Sequence, residues 1–118
     1  MKSILIVDDD VDLSGIISSI LEKQQFQIYR ATGIQEALKL LKYNTVDAIC
    51  SDYNMRDGTG LELLTKLRQQ NITTPFMIMS GNDDSLIEHK AQELGSSFCC
   101  KTDNELITKI KNMTVTKK

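Results

Sequence analysis

Ile49-Cys50-Ser51-Asp52-Tyr53-Asn54-Met55-Arg56-Asp57-Gly58-Thr59-Gly60 runs from an apolar strand into a polar, glycine-bearing loop that opens a leucine-rich helix. The strand signal, Val46 to Ser51, stops at a carboxylate, Asp52. A reactive group leaving a rigid strand at a loop is well placed for chemistry. Upstream, Ile4-Leu5-Ile6-Val7 is a continuous apolar run of the kind a strand buried on both faces shows, and it stops at Asp8-Asp9-Asp10. Between the two lies the same alternation of elements. Leu13, Ile16, Ile17, Ile20 and Leu21 repeat at helical spacing with Asp10 or Asp12 near the start. Phe26 to Arg30 alternates as a strand with one wetter face, and Thr32-Gly33-Ile34-Gln35 has capping-box spacing ahead of a stripe of Ile34, Ala37, Leu38 and Leu41.

Downstream the pattern continues. Thr59-Gly60-Leu61-Glu62 is a second capping box, before Leu61, Leu64, Leu67 and Arg68. Pro75 to Met79 reads as a fourth strand, with the proline at its first position, and ends at Ser80. Ser80 to Asp84 turns into a fourth helix with Ile87, Ala91 and Leu94 inward, which Gly95 is placed to end. Ser97 to Cys100 is a short fifth strand ending at Lys101, and Thr102 to Glu105 caps a last helix on Leu106, Ile110 and Met113. Thr114 to Lys118 reads as a frayed tail or the start of a linker.

Five strand–helix repeats without a long linker predict an α/β domain whose parallel sheet carries helices on both faces. Right-handed crossovers limit its topology. In a doubly wound sheet of order 2-1-3-4-5, sites lie beyond the carboxyl ends of the strands, between strands one and three. Asp8 and Asp9 then neighbour Asp52, and Ser80 and Lys101 reach the same rim.

At 118 residues the chain is one domain. Its 41% hydrophobic and 25% charged residues exclude disorder, and a net charge of −2 gives no basis for direct nucleic-acid binding. No apolar run approaches the roughly 20 residues of a membrane span, and the amino terminus is too short and acidic for a signal peptide. The expectation is a soluble, cytoplasmic protein with no membrane partner. Cys50, Cys99 and Cys100 lack metal-ligand spacing and read as reduced, buried thiols.

Three carboxylates on one rim repel unless a cation neutralises them, and oxygen ligands of this kind suit Mg²⁺. Lys101 offers a compact charge for a phosphoryl oxygen, Ser80 a hydroxyl donor, and Asp52 a nucleophile able to form an aspartyl phosphate. The only histidine, His89, lies within the fourth helix and reads as a surface residue.

With these residues in place, the whole chain resembles the receiver domain of two-component response regulators. A receiver protein is itself among the known examples of the rule for sites in doubly wound sheets. The resemblance implies a flavodoxin-like (βα)5 sandwich over residues 1–118, and a phosphoacceptor switch rather than an enzyme, at most phosphorylating itself from small donors and losing the group again. It implies Asp52 as phosphoacceptor, a sensor histidine kinase or phosphotransfer protein as donor, and Asp8, Asp9, Asp52 and the Asn54 backbone carbonyl as Mg²⁺ ligands. Ser80 and Lys101 would assist the transfer, and Ser80 with Phe98 would form the switch acting on a downstream output protein or fused output domain. The pattern departs from the family at three places. Thr102 follows Lys101 where proline is usual, so a trans bond or a reshaped loop is expected, since a non-proline cis bond costs about 3–4 kcal/mol. Arg56 stands where proline is common and is expected to loosen its loop; Gly81 replaces a common alanine and adds freedom. Asp57 reads as a turn residue. Two rivals are weaker. Haloacid-dehalogenase-like phosphatases carry Asp-x-Asp where this chain has Asn54, and a binding module that is never phosphorylated leaves the acids and lysine without a role.

Overall fold

The computed structural model describes residues 1–82 and 84–115. Five strands form one parallel sheet: β1 (Ser3–Val7), β2 (Gln27–Ala31), β3 (Ala48–Asp52), β6 (Phe76–Ser80) and β7 (Ser97–Cys100), in the order β2-β1-β3-β6-β7. This is the 2-1-3-4-5 order expected of a flavodoxin-like domain. Two further strands, β4 (Asn54–Met55) and β5 (Gly58–Thr59), make a short antiparallel hairpin in the loop after Asp52. The helices are α1 (Val11–Lys23), α2 (Ile34–Tyr43), α3 (Gly60–Gln69), α4 (Ser85–Glu93) and α5 (Leu106–Met113).

The pleat sorts the core into two layers, because successive strand residues face opposite ways. Leu5, Val7, Ile49, Phe76 and Ile78 pack with Ile34 and Ala37 of α2, Leu63, Leu64 and Leu67 of α3, and Ala91 of α4. Ile4, Ile6, Ala48, Cys50, Met77, Met79 and Cys99 face Ile17 and Leu21 of α1 and Leu106 and Ile110 of α5. Strands buried on both faces read as continuous apolar runs, and β1, β3 and most of β6 are buried throughout. The edge strand β2 is half exposed, which its alternation predicted.

Helix ends depart from the sequence reading in instructive ways. Asp10 caps α1 as expected, accepting from the Asp12 and Leu13 amides, and Thr59 caps α3 by accepting from the Glu62 amide at 3.2 Å. Thr32 does not cap α2; Gly33 is the N-cap, and the Asp57 carboxylate supplies the acceptors from another loop. Asp84 caps α4, accepting from the Leu86 and Ile87 amides. In α1 the stripe is also narrower than its spacing suggests. Ile16 is 59% and Ile20 38% exposed, while Ser14 and Ser18 are buried. Ser14 is accommodated because the Arg30 guanidinium donates to its hydroxyl at 2.9 Å and to the Val11 carbonyl at 2.8 Å. Arg68, in the α3 stripe, spends its charge on the carbonyls of Leu94, Ile72 and Thr74. Gly95 ends α4 just past its C-cap with φ +76°, as its placement implied. Thr114, expected to begin a frayed tail, is buried and closes α5, with the Lys2 ammonium donating to its carbonyl. Asp83 and residues 116–118 of that tail lie outside the described residues.

The layering predicts two contrasting substitutions. Ile78→Ala, at a fully buried position in the middle strand region, should cost about 2–5 kcal/mol in urea unfolding. Ile16→Ala should stay within about 0.5 kcal/mol of the parent, because its side chain is mostly in water already.

Candidate functional site

Register builds the site. Val7 pairs with Ser51, so the next residues along the two strands, Asp8 and Asp52, come out side by side at the carboxyl edge of the sheet. Both follow residues of the α1/α5 layer by two positions, Ile6 and Cys50, and so face that layer. Asp52 pairs in turn with Met79, Met79 with Cys99, and Lys101 follows Cys99 by two. One row of the pleat thus delivers two carboxylates and an ammonium to the same side.

The side chains meet. Lys101 Nζ lies 3.1 Å from Asp8 Oδ2 and 3.1 Å from Asp52 Oδ1, with the Asp8 side chain fully buried and the other two largely so. Carboxylate oxygens of Asp8, Asp9 and Asp52 all lie within 4.8 Å of one another. Asp8 is fixed by the Asp10 amide, which donates to Oδ1 at 2.9 Å, and by its own amide, which donates to the Ala31 carbonyl at 2.9 Å. Asp8 Oδ2 has no directed hydrogen bond; its contact with Lys101 is an ion pair only. A buried oxygen with lone pairs to spare, beside two more carboxylates, is a donor set that suits a hard divalent cation. The residues therefore fit Mg²⁺.

The charges pull against each other. Burial, and then the neighbouring Asp8 charge, push the Asp52 carboxyl above its usual 3.8, against the Lys101 ammonium and the Tyr53 backbone N–H. Burial works to lower the Lys101 pKa, but the carboxylates of Asp52 and Asp8 outweigh it and hold the ammonium above the usual lysine range. Among the described residues, Lys101 is the cation that lies against both Asp8 and Asp52.

Other predicted residues stand around this core. Asn54 is exposed in β4, two residues after Asp52. The backbone N–H of Lys101 donates to the Ser80 carbonyl at 2.7 Å, which puts Ser80 on the rim, but its hydroxyl accepts from the Asn82 amide at 3.3 Å instead of touching Asp52. Phe98, half-buried, shares the opposite face of the sheet with Ile78 and Ser80. His89 is on the surface beside Glu93. Gly81 is exposed with open space around it, so nothing there demands glycine.

The loop after Lys101, with Thr102 in place of proline, is held by hydrogen bonds. No cis peptide occurs among the described residues, in line with the trans bond expected before Thr102. Asp103 organises the turn instead. Its amide donates to the Cys100 carbonyl at 3.0 Å, and its carboxylate accepts from the Glu105 amide at 2.8 Å and from Lys109 Nζ at 2.7 Å. Asp103 and Lys109 are six residues apart, a separation that no helix-face pairing rule anticipates. The helix begins only at Leu106, so the Thr102–Glu105 box does not form as expected. Arg56 lies between the two strands of the β4–β5 hairpin.

Linkage gives a stability test. A carboxyl whose folded pKa lies above its unfolded value destabilises the fold when ionised, and that penalty fades as pH falls through the folded pKa toward 3.8. Asp52→Asn should therefore unfold at higher urea than the parent at pH 7. The gap should narrow in melts repeated at successively lower pH.

Three comparisons agree with this geometry. Residues 4–111 match the sequence profile described as "Response regulator receiver domain". The chain is similar to the transcriptional regulatory protein CpxR homolog of Haemophilus influenzae, 30% identical over 114 residues, covering 94% of this chain and 49% of that protein. It is also similar to the cell cycle response regulator CtrA of Brucella ovis, 33% identical over 92 residues, covering 78% of this chain and 39% of that one. The chain thus spans about half or less of the length of these relatives. Among solved structures it resembles the receiver domain of the Francisella response regulator 1452, with a TM-score of 0.89, 30% identity, and 97% of each chain covered. Sheet order, acid cluster and sequence match agree: this chain belongs to the response regulator receiver domain family.

Proposed function

We propose that Asp52 accepts a phosphoryl group from the phosphohistidine of a sensor histidine kinase or a phosphotransfer protein. The observation that carries this reading is the Lys101 ammonium 3.1 Å from both Asp8 Oδ2 and Asp52 Oδ1. Asp52 Oδ attacks phosphorus; the new P–O bond forms as the donor's P–N bond breaks, and the electron pair leaves on the imidazole nitrogen. Lys101 keeps Asp52 ionised before attack and then pairs with a phosphoryl oxygen, so its charge serves both states. Asp8, Asp9, Asp52 and the Asn54 carbonyl are the residues that would hold Mg²⁺. The ion, when bound, screens the negative charge of the phosphoryl oxygens.

The switch reading rests on weak restraint at Ser80. Among the described residues its hydroxyl accepts one long bond, from its own loop, so reorientation toward a phosphoryl group costs little. Phe98 then occupies the space that Ser80 vacates, and the surface formed by α4, β7 and α5 changes its affinity for a partner. This is a shift of population between two arrangements. The partner is a downstream output protein or a fused output domain. We take residues 1–118 as a single receiver domain that acts as a switch and not as a turnover enzyme, working in the cytoplasm. No described helix is long and apolar enough to cross a membrane, and a net charge of −2 argues against direct contact with nucleic acid. The phosphatase alternative lacks a general acid, because Asn54 cannot donate a proton as a carboxylic acid does.

Intact mass after incubation with Mg²⁺ and acetyl phosphate tests the reading. The parent should gain one phosphoryl group and Asp52→Asn none. Lys101→Ala should slow labelling by about a hundredfold, as loss of a preorganised charge contact does. Ser80→Ala should label at nearly the parental rate yet lose the effect of labelling on partner binding. Unchanged coupling in that variant would remove Ser80 from the switch.

A further inference from the structure

The Asp57 carboxylate does not stay within its own turn. Ile34 N–H donates to Oδ1 at 2.8 Å and Gln35 N–H to Oδ2 at 3.0 Å, so both oxygens cap the first turn of α2, 22 or more residues away in sequence. The helix has no cap of its own, since Gly33 offers no side-chain oxygen. These two N–H groups hold the Asp57 carboxyl below its usual range. Space around the contact is fitted to it. A Cβ on Gly33 would lie 2.6 Å from Asp57 Oδ1, and one on Gly58, where φ is +146°, would lie 2.5 Å from Ile34 Cδ1. Asp9 and Asp57 line the same cleft of about 450 Å³, so this contact adjoins the acid cluster.

The hairpin that carries Asn54 is only two residue pairs long, Asn54 with Thr59 and Met55 with Gly58. An isolated hairpin of that length does not hold itself. Its base is fixed to the sheet through Tyr53 N–H to the Met79 carbonyl at 2.9 Å and is closed by Gly60 N–H to the Tyr53 carbonyl at 2.7 Å. Its tip, Arg56 and Asp57, is fixed through Asp57 to α2. We infer that Asp57 is a positioning residue of the phosphoryl-transfer site, clamping the hairpin to α2 so that the Asn54 carbonyl is held ready for a divalent cation. The inference rests on the Mg²⁺ reading of Asp8, Asp9, Asp52 and Asn54 given above. The clamp acts without touching the ion, as outer partners of metal ligands do.

The test is direct Mg²⁺ affinity by calorimetry on the full chain, with amide hydrogen exchange at Ile34 and Gln35 alongside. Asp57→Ala should lose protection at both amides and raise the Mg²⁺ Kd about tenfold. Asp57→Asn, which keeps the shape and one acceptor oxygen, should fall between it and the parent; it also serves if the alanine variant does not fold. Gly33→Ala, which displaces the carboxylate from the other side, should raise Kd in the same direction, and its effect should not add to that of Asp57→Ala. Asp47→Ala removes a carboxylate–amide bond at the far end of the sheet, to the Ser3 N–H, and should leave Kd unchanged. A Kd within about twofold of the parent in the Asp57 variants, with the α2 amides exposed, would overturn the clamp, whose expected effect is tenfold. So would amides that stay protected. A parent that binds no Mg²⁺ would overturn the cation reading itself and the inference with it.

Discussion

A single ammonium between two buried carboxylates sets the terms for the rest of this molecule. Asp8 and Asp52 lie side by side because β1 and β3 are neighbours in register, and no rearrangement of side chains can separate them. Left alone, such a pair would repel at short range in a low-dielectric edge of the protein. Lys101 offsets that repulsion from β7, two strands away from β3. The order of the sheet is therefore an electrostatic requirement as well as a packing solution. A different neighbour for β1 would scatter the acids and leave Lys101 facing water.

The cluster is costly, and the scaffold under it is correspondingly rigid. β1 and β3 are buried along their whole length, with apolar side chains filling both faces. At the carboxyl edge, where the acids gather, the loops are tied by specific contacts: Asp103 to Lys109 after β7, and Asp57 to α2 after β3. A site that is destabilised when empty gains most from a charge-matched ligand, since the ligand relieves repulsion as it binds. The same arrangement sets both pKa directions: burial and Asp8 raise that of Asp52 against the pull of Lys101, and the two carboxylates raise that of Lys101 against burial. Each group makes the other's charge tolerable.

Much of this could be read from the chain, because the informative signals were local. Apolar runs ending at Asp8, Asp52, Ser80 and Lys101 marked the strand ends, while five repeats with right-handed crossovers only limited the strand order, which leaned on the resemblance to receiver domains. Asp10 and Thr59 announced their helices. Contacts made across the fold left no local trace. Nothing near Thr32 says that its helix is capped by Asp57, although a glycine at the N-cap is a hint that the cap comes from elsewhere. Ser14 sits in the core because of Arg30, a partner 16 residues on, while Ile16 faces out. A periodicity rule sees apolar spacing and misses a serine satisfied at long range. Likewise the loops holding Thr102, where a trans bond or a reshaped loop was expected, and Arg56 are tied through neighbours, Asp103 and Asp57, whose partners no local signal announced.

The most direct measurement of the central claim is the position of the phosphoryl group. Borohydride reduces an aspartyl phosphate to homoserine, which tandem mass spectrometry locates to one residue. After labelling in Mg²⁺, the account predicts homoserine at position 52 and unchanged aspartate at positions 8, 9 and 57. Homoserine at any of those three, or a label that resists reduction because it sits on Ser80 or His89, would contradict it.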